Sequence, residues 1–288
     1  MANESHGDIR AVTAAEHWEH FNKAWVALKS YTYLGKTTPY LDRGATREMM
    51  PLRHDMRNST GGVMAAPLCL LSPEPWWRDD ECVPAPVTMT YDIIDPAYDV
   101  KRLETLRSVI SIGRQMGFSR SRIVDADNHD RVIALSTGSG VSLGDVPPGF
   151  EAPNNPVNDM DDSPDLPQLR DVFGIERTAD GVLEIAKVVP EISSPHAALH
   201  IGPINIALEA AATDALIAAC GHDRLQVEHW SVVLVKPGFV GPFRATAAVV
   251  GVNQSTGRYV LEASMIDVGT NGRAIATAQA SFRAISAR

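Results

Sequence analysis

The run His200-Ile-Gly-Pro-Ile-Asn205-Ile-Ala-Leu-Glu209-Ala-Ala-Ala-Thr213 places one carboxylate in an otherwise apolar stretch. Ile204, Ile206, Leu208, Ala210, Ala212 and Leu216 are its neighbours in sequence, and a charge is costly to bury among them unless it is paired or shifts its pKa. Desolvation raises a carboxyl pKa above its free value of roughly 4.3, towards the range where it serves as a base near neutral pH. Such a group activates water or attacks an electrophile itself, and the residue types alone do not separate the two. Asn205 and Thr213, at i−4 and i+4, share its helix face and are placed to hold the water or orient the carboxylate. Two bland readings stand beside the chemical one. Glu209 is a structural carboxylate bonded to loop amides or an exposed group, and Thr213 a packing residue.

The elements that position this run repeat. Val182–Val189 reads as a strand, followed by a Ser-Ser-Pro-His loop and a helix from about Pro203 to Ala219. Proline suits a first helical turn and Gly221 the stop. Four β-rich runs follow at Leu225–Val235, Phe243–Val252, Arg258–Asp267 and Arg273–Ala284, separated by turn chemistry such as Gln-Ser-Thr-Gly and Gly-Thr-Asn-Gly. Earlier in the chain the same order recurs: a strand at Ala45–Pro51, a loop ending in Gly61-Gly62, a short apolar helix to about Leu71, then runs at 86–94, 104–116, 119–126 and 131–142. A helix this apolar must be covered on nearly every side, so each half reads as an antiparallel sheet wrapped around a central helix, an α+β fold.

The domain organisation that follows is an N-terminal helical extension at 1–44, repeat 1 at 45–143, a Pro/Asp/Asn-rich linker at 144–169 and repeat 2 at 170–288. Trp18, Phe21, Trp25 and Leu28 supply the helical spacing in the extension. The linker carries many acids and prolines with almost no apolar periodicity, which predicts an exposed segment.

At 288 residues with 44% apolar content the chain can bury a sizeable core. Its net charge of −9, with no cluster of Lys and Arg, offers nothing to a phosphate backbone, which excludes nucleic acid as the expected partner. The longest apolar stretches, around 197–208 and 246–252, contain Pro, Asn or Gly and fall short of the roughly 20 residues of a spanning helix, and the N-terminus lacks a signal pattern. No membrane partner is expected, and the location expected is cytoplasmic. Cys69, Cys82 and Cys220 fit reduced thiols better than disulfides or a zinc site.

On His200, Glu209 and Thr213 the chain resembles hot-dog-fold acyl-CoA thioesterases of the phenylacetate-pathway and 4-hydroxybenzoyl-CoA thioesterase kind. In that family a His-Gly-Gly turn opens the central helix, an acid follows nine residues after the His, and a Ser or Thr often stands four further on. The resemblance extends over 45–142 and 170–285 as two fused hot dogs. It departs at Ile201, which replaces the first glycine of the turn, although Gly202 remains. In repeat 1, Gly61-Gly62 keep the glycines while Thr60 is aligned with the His, Cys69 with the carboxylate and Pro73 with the hydroxyl.

The resemblance implies sites between paired hot dogs, one complete and one dead. The complete one would join Glu209 and Thr213 to Gly61, Gly62, His54 and Asn58 of repeat 1, with His54 at an upstream Gln position that repeat 2 fills with Ser194. The dead one would face Cys69 with Ile201. Thioester hydrolysis needs a nucleophile for the carbonyl carbon and donors for the developing oxyanion, and the Gly61 N–H, set at a helix start, is the expected donor. For His54 the plain alternative is a loop residue without a task, and for Asn58 a turn residue capping the helix. His200 is expected to shape its turn.

The implied substrate is an acyl-CoA or related acyl thioester, with no cofactor and no metal, and a homodimer of the fused chain is the expected assembly. His196 and His200 are four apart but lack an adjacent acid or Cys ligand. No Gly-x-Ser-x-Gly elbow occurs, and the Gly138–Gly144 segment lacks a P-loop Lys. Trp76-Trp77 read as a sheet-edge cover or an acyl-pocket wall. Two alternatives remain: a hot-dog protein that binds acyl thioesters or another apolar ligand without turnover, and a hydratase or dehydratase on the same fold, whose Asp-x-Asn-Pro-x-His pattern this chain lacks.

Overall fold

The computed structural model describes residues 27–36, 47–72, 82–145, 161–194 and 197–285. Trp18, Phe21, Trp25, Pro73, Trp76, Trp77, His196 and most of the linker lie outside them. In chain order come α1 (Lys29–Thr32), β1 (Arg47–Pro51), a 3-10 turn at His54–Met56, α2 (Ala65–Leu71), β2 (Cys82–Ile93), β3 (Arg102–Ile112), β4 (Met116–Asp125) and β5 (Asn128–Asp145). The second half repeats this with α3 (Leu169–Val172), the short β6 (Glu176–Arg177) and β7 (Leu183–Ile185), a 3-10 turn at Pro190–Ile192, and α4 (Ile201–Cys220). It closes with β8 (Leu225–Leu234), β9 (Phe243–Asn253), β10 (Arg258–Asp267) and β11 (Arg273–Ala284). The strand expected over Val182–Val189 is three residues long: it stops at Ile185, and the chain bends at Lys187 before the proline-led 3-10 turn at Pro190–Ile192.

The strands form one antiparallel sheet in the order β1-β3-β4-β5-β2-β8-β11-β10-β9-β7-β6. The halves share it through the β2–β8 pair, where Tyr91 stands opposite Trp230 and Thr90 Oγ1 lies 3.0 Å from Ser231 Oγ. Strand alternation is clean in β4, whose residues from Met116 to Ile123 alternate exposed and buried, as one covered face requires. The covered face packs on α4, which contacts β9 and β10, and α2 in turn packs on α4.

α4 starts where the sequence supplies a cap: His200 Nδ1 accepts from Gly202 N at 3.2 Å, and Pro203 in the first turn forgoes an amide that would have no helical partner. It stops at Gly221, which takes the left-handed conformation at φ +79° and returns its N–H to Ile217 O. By length and composition α4 is apolar enough to cross a membrane, which the shorter stretches considered in the sequence did not suggest; it is mostly buried inside the protein, as a core helix is. Asn205 fixes it laterally, donating to Ile201 O at 2.9 Å and accepting from Trp230 Nε1 at 3.1 Å.

Candidate active site

Glu209 is 2% exposed. Its carboxylate leaves its own half of the chain and meets the start of α2. Oε1 accepts from Ala65 N at 2.8 Å and Oε2 from Ala66 N at 2.7 Å. The donors at this helix start are then fully accounted for: Met64 N bonds to Met56 O at 3.1 Å, Ala65 and Ala66 serve Glu209, and Pro67 has no N–H. Burial pushes the Glu209 pKa up to about 7, although the two amides pull it down.

Of the other buried acids, Glu48, Asp55 and Glu104 have basic side chains as partners, while Asp267 is held by backbone amides as Glu209 is. Glu48 lies 3.0 Å from Lys36 Nζ and 3.4 Å from Arg107 Nη2, Asp55 is paired with Arg53 at 3.1 Å, and Asp267 accepts from the amides of Phe239, Val240 and Gly241. Among the described residues Glu209 has no cation beside it, and it borders a cavity of about 510 Å³. His54, Asn58 and Thr213 line the same cavity, so the structure brings together four of the seven residues singled out in the sequence. Thr213 Oγ1 donates to the Glu209 backbone O at 2.9 Å, leaving its lone pairs available. His54 opens the 3-10 turn, and its backbone N donates to Asp162 Oδ1 at 2.6 Å.

Asn58 is locked in orientation. Its Oδ1 accepts from Thr60 N at 3.0 Å, Thr60 Oγ1 at 2.6 Å and Gly62 N at 3.1 Å, and only Nδ2 is left, 3.5 Å from Gln226 Oε1. Arg57 pins the same turn, donating to the carbonyls of Gly61, Ala97, Leu52 and Val100 at 2.6–3.3 Å.

Gly61, Gly62 and Asn205 do not line the cavity. Gly61 is not at the helix start, and its N–H donates to Asn58 O at 2.9 Å. The glycine pair instead builds a tight turn: Gly61 sits at φ +83°, and a Cβ on Gly62 would collide with Gln226 Oε1. The helix-start amides are those of Ala65 and Ala66, which the sequence reading missed.

The reason is a repeat alignment set four residues off. Isolated bridges join Arg57 to Val63 and Ser193 to Leu199, a displacement of 136 (193 against 57, 199 against 63). The same displacement relates Gly61 N→Asn58 O to Ala197 N→Ser194 O, and Met64 N→Met56 O to His200 N→Ile192 O. Met64, not Thr60, therefore corresponds to His200. Asn58, not His54, matches Ser194, and Cys69 matches Asn205. The counterpart of Glu209 becomes Pro73, outside the described residues. Pro67 and Pro203, each third in its helix, carried this alignment in the sequence.

On the opposite side, the start of α4 is filled by the chain itself. Ser30 Oγ of α1 lies 2.9 Å from His200 Nδ1, and a Cβ on Gly202 would run into Ser30 Oγ. The ring of Tyr31 stands 6.0 Å from that of His200, with Lys36 Nζ 5.0 Å from the tyrosine ring centroid. Burial first, and Lys36 second, lower the His200 pKa to about 3, so His200 is a neutral cap.

No protein-family model matches this chain, and no curated protein matches it. Solved structures do. A tesB protein of Mycobacterium avium subs paratuberculosis superposes with a TM-score of 0.58 at 11% identity, covering 93% of this chain and 100% of its own. A conserved protein of unknown function with hot dog fold from Alicyclobacillus acidocaldarius gives 0.53 at 10% identity over 88% and 100%. An acyl-CoA thioesterase II, TesB2, from Mycobacterium marinum gives 0.51 at 12% identity over 84% and 94%. At these identities the likeness shows the fold alone, a hot-dog fold with one large antiparallel sheet.

Proposed function

We propose that the chain is a thioester hydrolase, an acyl-CoA thioesterase that releases free acid and CoA with Glu209 as its base and no cofactor or metal. The observation that carries this reading is Glu209 itself: a buried carboxyl without a cation, raised to about 7, bordering a cavity and bonded across the repeat junction to the amides of Ala65 and Ala66. The names of two structural neighbours, a tesB protein and an acyl-CoA thioesterase II, support the same reaction class. The finer likeness to the phenylacetate-pathway and 4-hydroxybenzoyl-CoA kind rests on the spacing of His200, Glu209 and Thr213.

In the proposed reaction the thioester oxygen takes the Ala65 N–H from Glu209 Oε1, and Asn58 Nδ2 supplies a second donor. Freed of one amide, the carboxylate accepts a proton from a water held by Thr213 Oγ1 as the water oxygen bonds to the carbonyl carbon. The oxyanion then collapses, the C–S bond breaks, and the thiolate takes the proton back from Glu209. A donor of this kind contributes on the order of 3 kcal/mol, and a positioned base about 10²–10⁴-fold. Gly61, Gly62 and Asn205 act at a distance, through the turn that orients Asn58 and the anchoring of α4.

One observation favours a second reading. Both oxygens of Glu209 are satisfied, as in a structural cap, and a binding protein without turnover would look the same. Incubation with a panel of aromatic, short-chain, long-chain and polycyclic acyl-CoAs, following thiol release and acid formation together, decides. Equal amounts of thiol and acid from at least one substrate are expected. Retention of every acyl-CoA intact while it binds the protein would establish the binder.

A further inference from the structure

The short helices that lead the two halves, α1 and α3, both approach α4, with opposite results. α1, which leads repeat 1, places Ser30 and Tyr31 on the start of α4 and closes that side. α3, which leads repeat 2, approaches α4, and the segment entering it supplies Pro164, Leu166, Gln168, Leu169 and Arg170 to the wall of the open cavity at Glu209. Lys29 Nζ donates to Val172 O at 2.7 Å and ties the two helices together. One leading helix thus plugs a helix start, while the segment entering the other lines a cavity.

Met64, Ile206, Ile217, Leu225 and Phe282 add hydrocarbon to the lining of the same cavity. Most charged groups of the lining are committed elsewhere: Asp55 to Arg53, Asp214 to Arg177, Arg57 to four carbonyls and Arg170 to Asp171, so no guanidinium of the lining is offered to an anionic acyl group. Asp162 holds the segment by accepting from His54 N, and Leu169, 2% exposed, roots it in the core. Leu166 is only half-buried, so its side chain can be changed without opening the core.

We propose that Pro164–Arg170, and Leu166 foremost, sets the size limit for the acyl group, and that the acyl group is an uncharged hydrocarbon. This rests on the thioesterase reading and deepens it. A cavity of about 510 Å³ falls in the range of roughly 300–1,000 Å³ that takes a ligand of drug-like bulk, and hydrophobic pockets discriminate by about 10–200-fold per methylene.

The test measures kcat/KM for saturated acyl-CoAs from acetyl to palmitoyl, with succinyl-CoA as the charged comparison, for the wild type, Leu166→Trp, Leu166→Ala and the near-isosteric Leu166→Met. In parallel, free fatty acids of the same lengths displace dansyl-labelled undecanoic acid from each protein. Leu166→Trp is expected to lower kcat/KM at least about tenfold for the longest accepted chains, with short chains within about twofold. Leu166→Ala should move the limit to longer chains, Leu166→Met should leave it in place, and succinyl-CoA should be the poorest substrate. The displacement limit should move with the kinetic one. An unchanged chain-length profile in both bulk-changing variants, good turnover of succinyl-CoA, or no binding of the dansyl probe to the wild type overturns the proposal. If no acyl-CoA turns over but the displacement limit still moves with residue 166, the hydrolase reading fails and the size limit stands.

Discussion

Glu209 Oε1 lies 2.8 Å from Ala65 N, and the two residues belong to different repeats, 144 positions apart in the chain. Neither repeat holds this arrangement alone. The carboxylate comes from the middle of α4 and the amide from the start of α2, and the cavity beside the carboxylate is lined by α4, the turn at 54–59 and the segment at 164–170.

The first consequence concerns activity against pH. Glu209 must be ionised to accept a proton, and its pKa is raised to about 7. We expect kcat/KM for a preferred acyl-CoA to rise with pH through about 7 and level off above it. A limb centred near 4.5, or a flat profile from pH 5 to 9, would remove Glu209 as the base.

The same shift acts on stability, with the opposite preference. The folded-state pKa lies above the ordinary 4.5, so between about 4.5 and 7 the native state binds the extra proton. The stabilisation is complete below pH 4.5 and is lost as pH rises through about 7, amounting to about 3 kcal/mol at most. Urea unfolding at pH 5 and pH 8 should show wild type losing more stability across the interval than Glu209→Gln. Equal losses would mean that the carboxyl is not shifted.

His200 should matter for folding and not for chemistry. Its pKa is lowered from 6.5 to about 3, so its contribution is complete above pH 6.5 and falls away as pH drops towards 3. His200→Ala removes the acceptor for Gly202 N and the partner of Ser30 Oγ, at a cost of about 1–2 kcal/mol for the cap. Chemical denaturation should record that loss with kcat within about twofold of wild type. A hundredfold fall in kcat in a folded variant would place His200 in the reaction.

Arg57 offers a test of the Asn58 turn. Its guanidinium holds four carbonyls at once, a fork that an ammonium cannot reproduce. Arg57→Lys is expected to cost about 1–3 kcal/mol in stability and to lower kcat/KM about tenfold. Unchanged kinetics in that variant would show that the turn does not orient the site.

Much of this was legible before the fold was known, and the failures have physical causes. β8, β9, β10 and β11 were bounded within about a residue because polar turns separate them. The sequence also placed Glu209 and Thr213 on one helix face, and the cavity contains both. The glycine pair misled: Gly61-Gly62 looks like a helix opening, but it serves a turn that repeat 2 builds with Ala197 at φ +59°. A non-glycine residue in the left-handed region leaves no glycine to align. The continuous sheet was also hidden, since the partner of β2 is fixed by long-range packing and not by any local pattern.

The central claim is that Glu209 performs the hydrolysis and does not merely cap α2. It is tested most directly by kcat for thiol release in Glu209→Gln, with equilibrium binding of a non-hydrolysable acyl-CoA thioether measured on the same protein. The account expects kcat to fall by about 10²–10⁴-fold while the thioether binds within about threefold of wild type. Turnover within tenfold of wild type in the folded variant would contradict it.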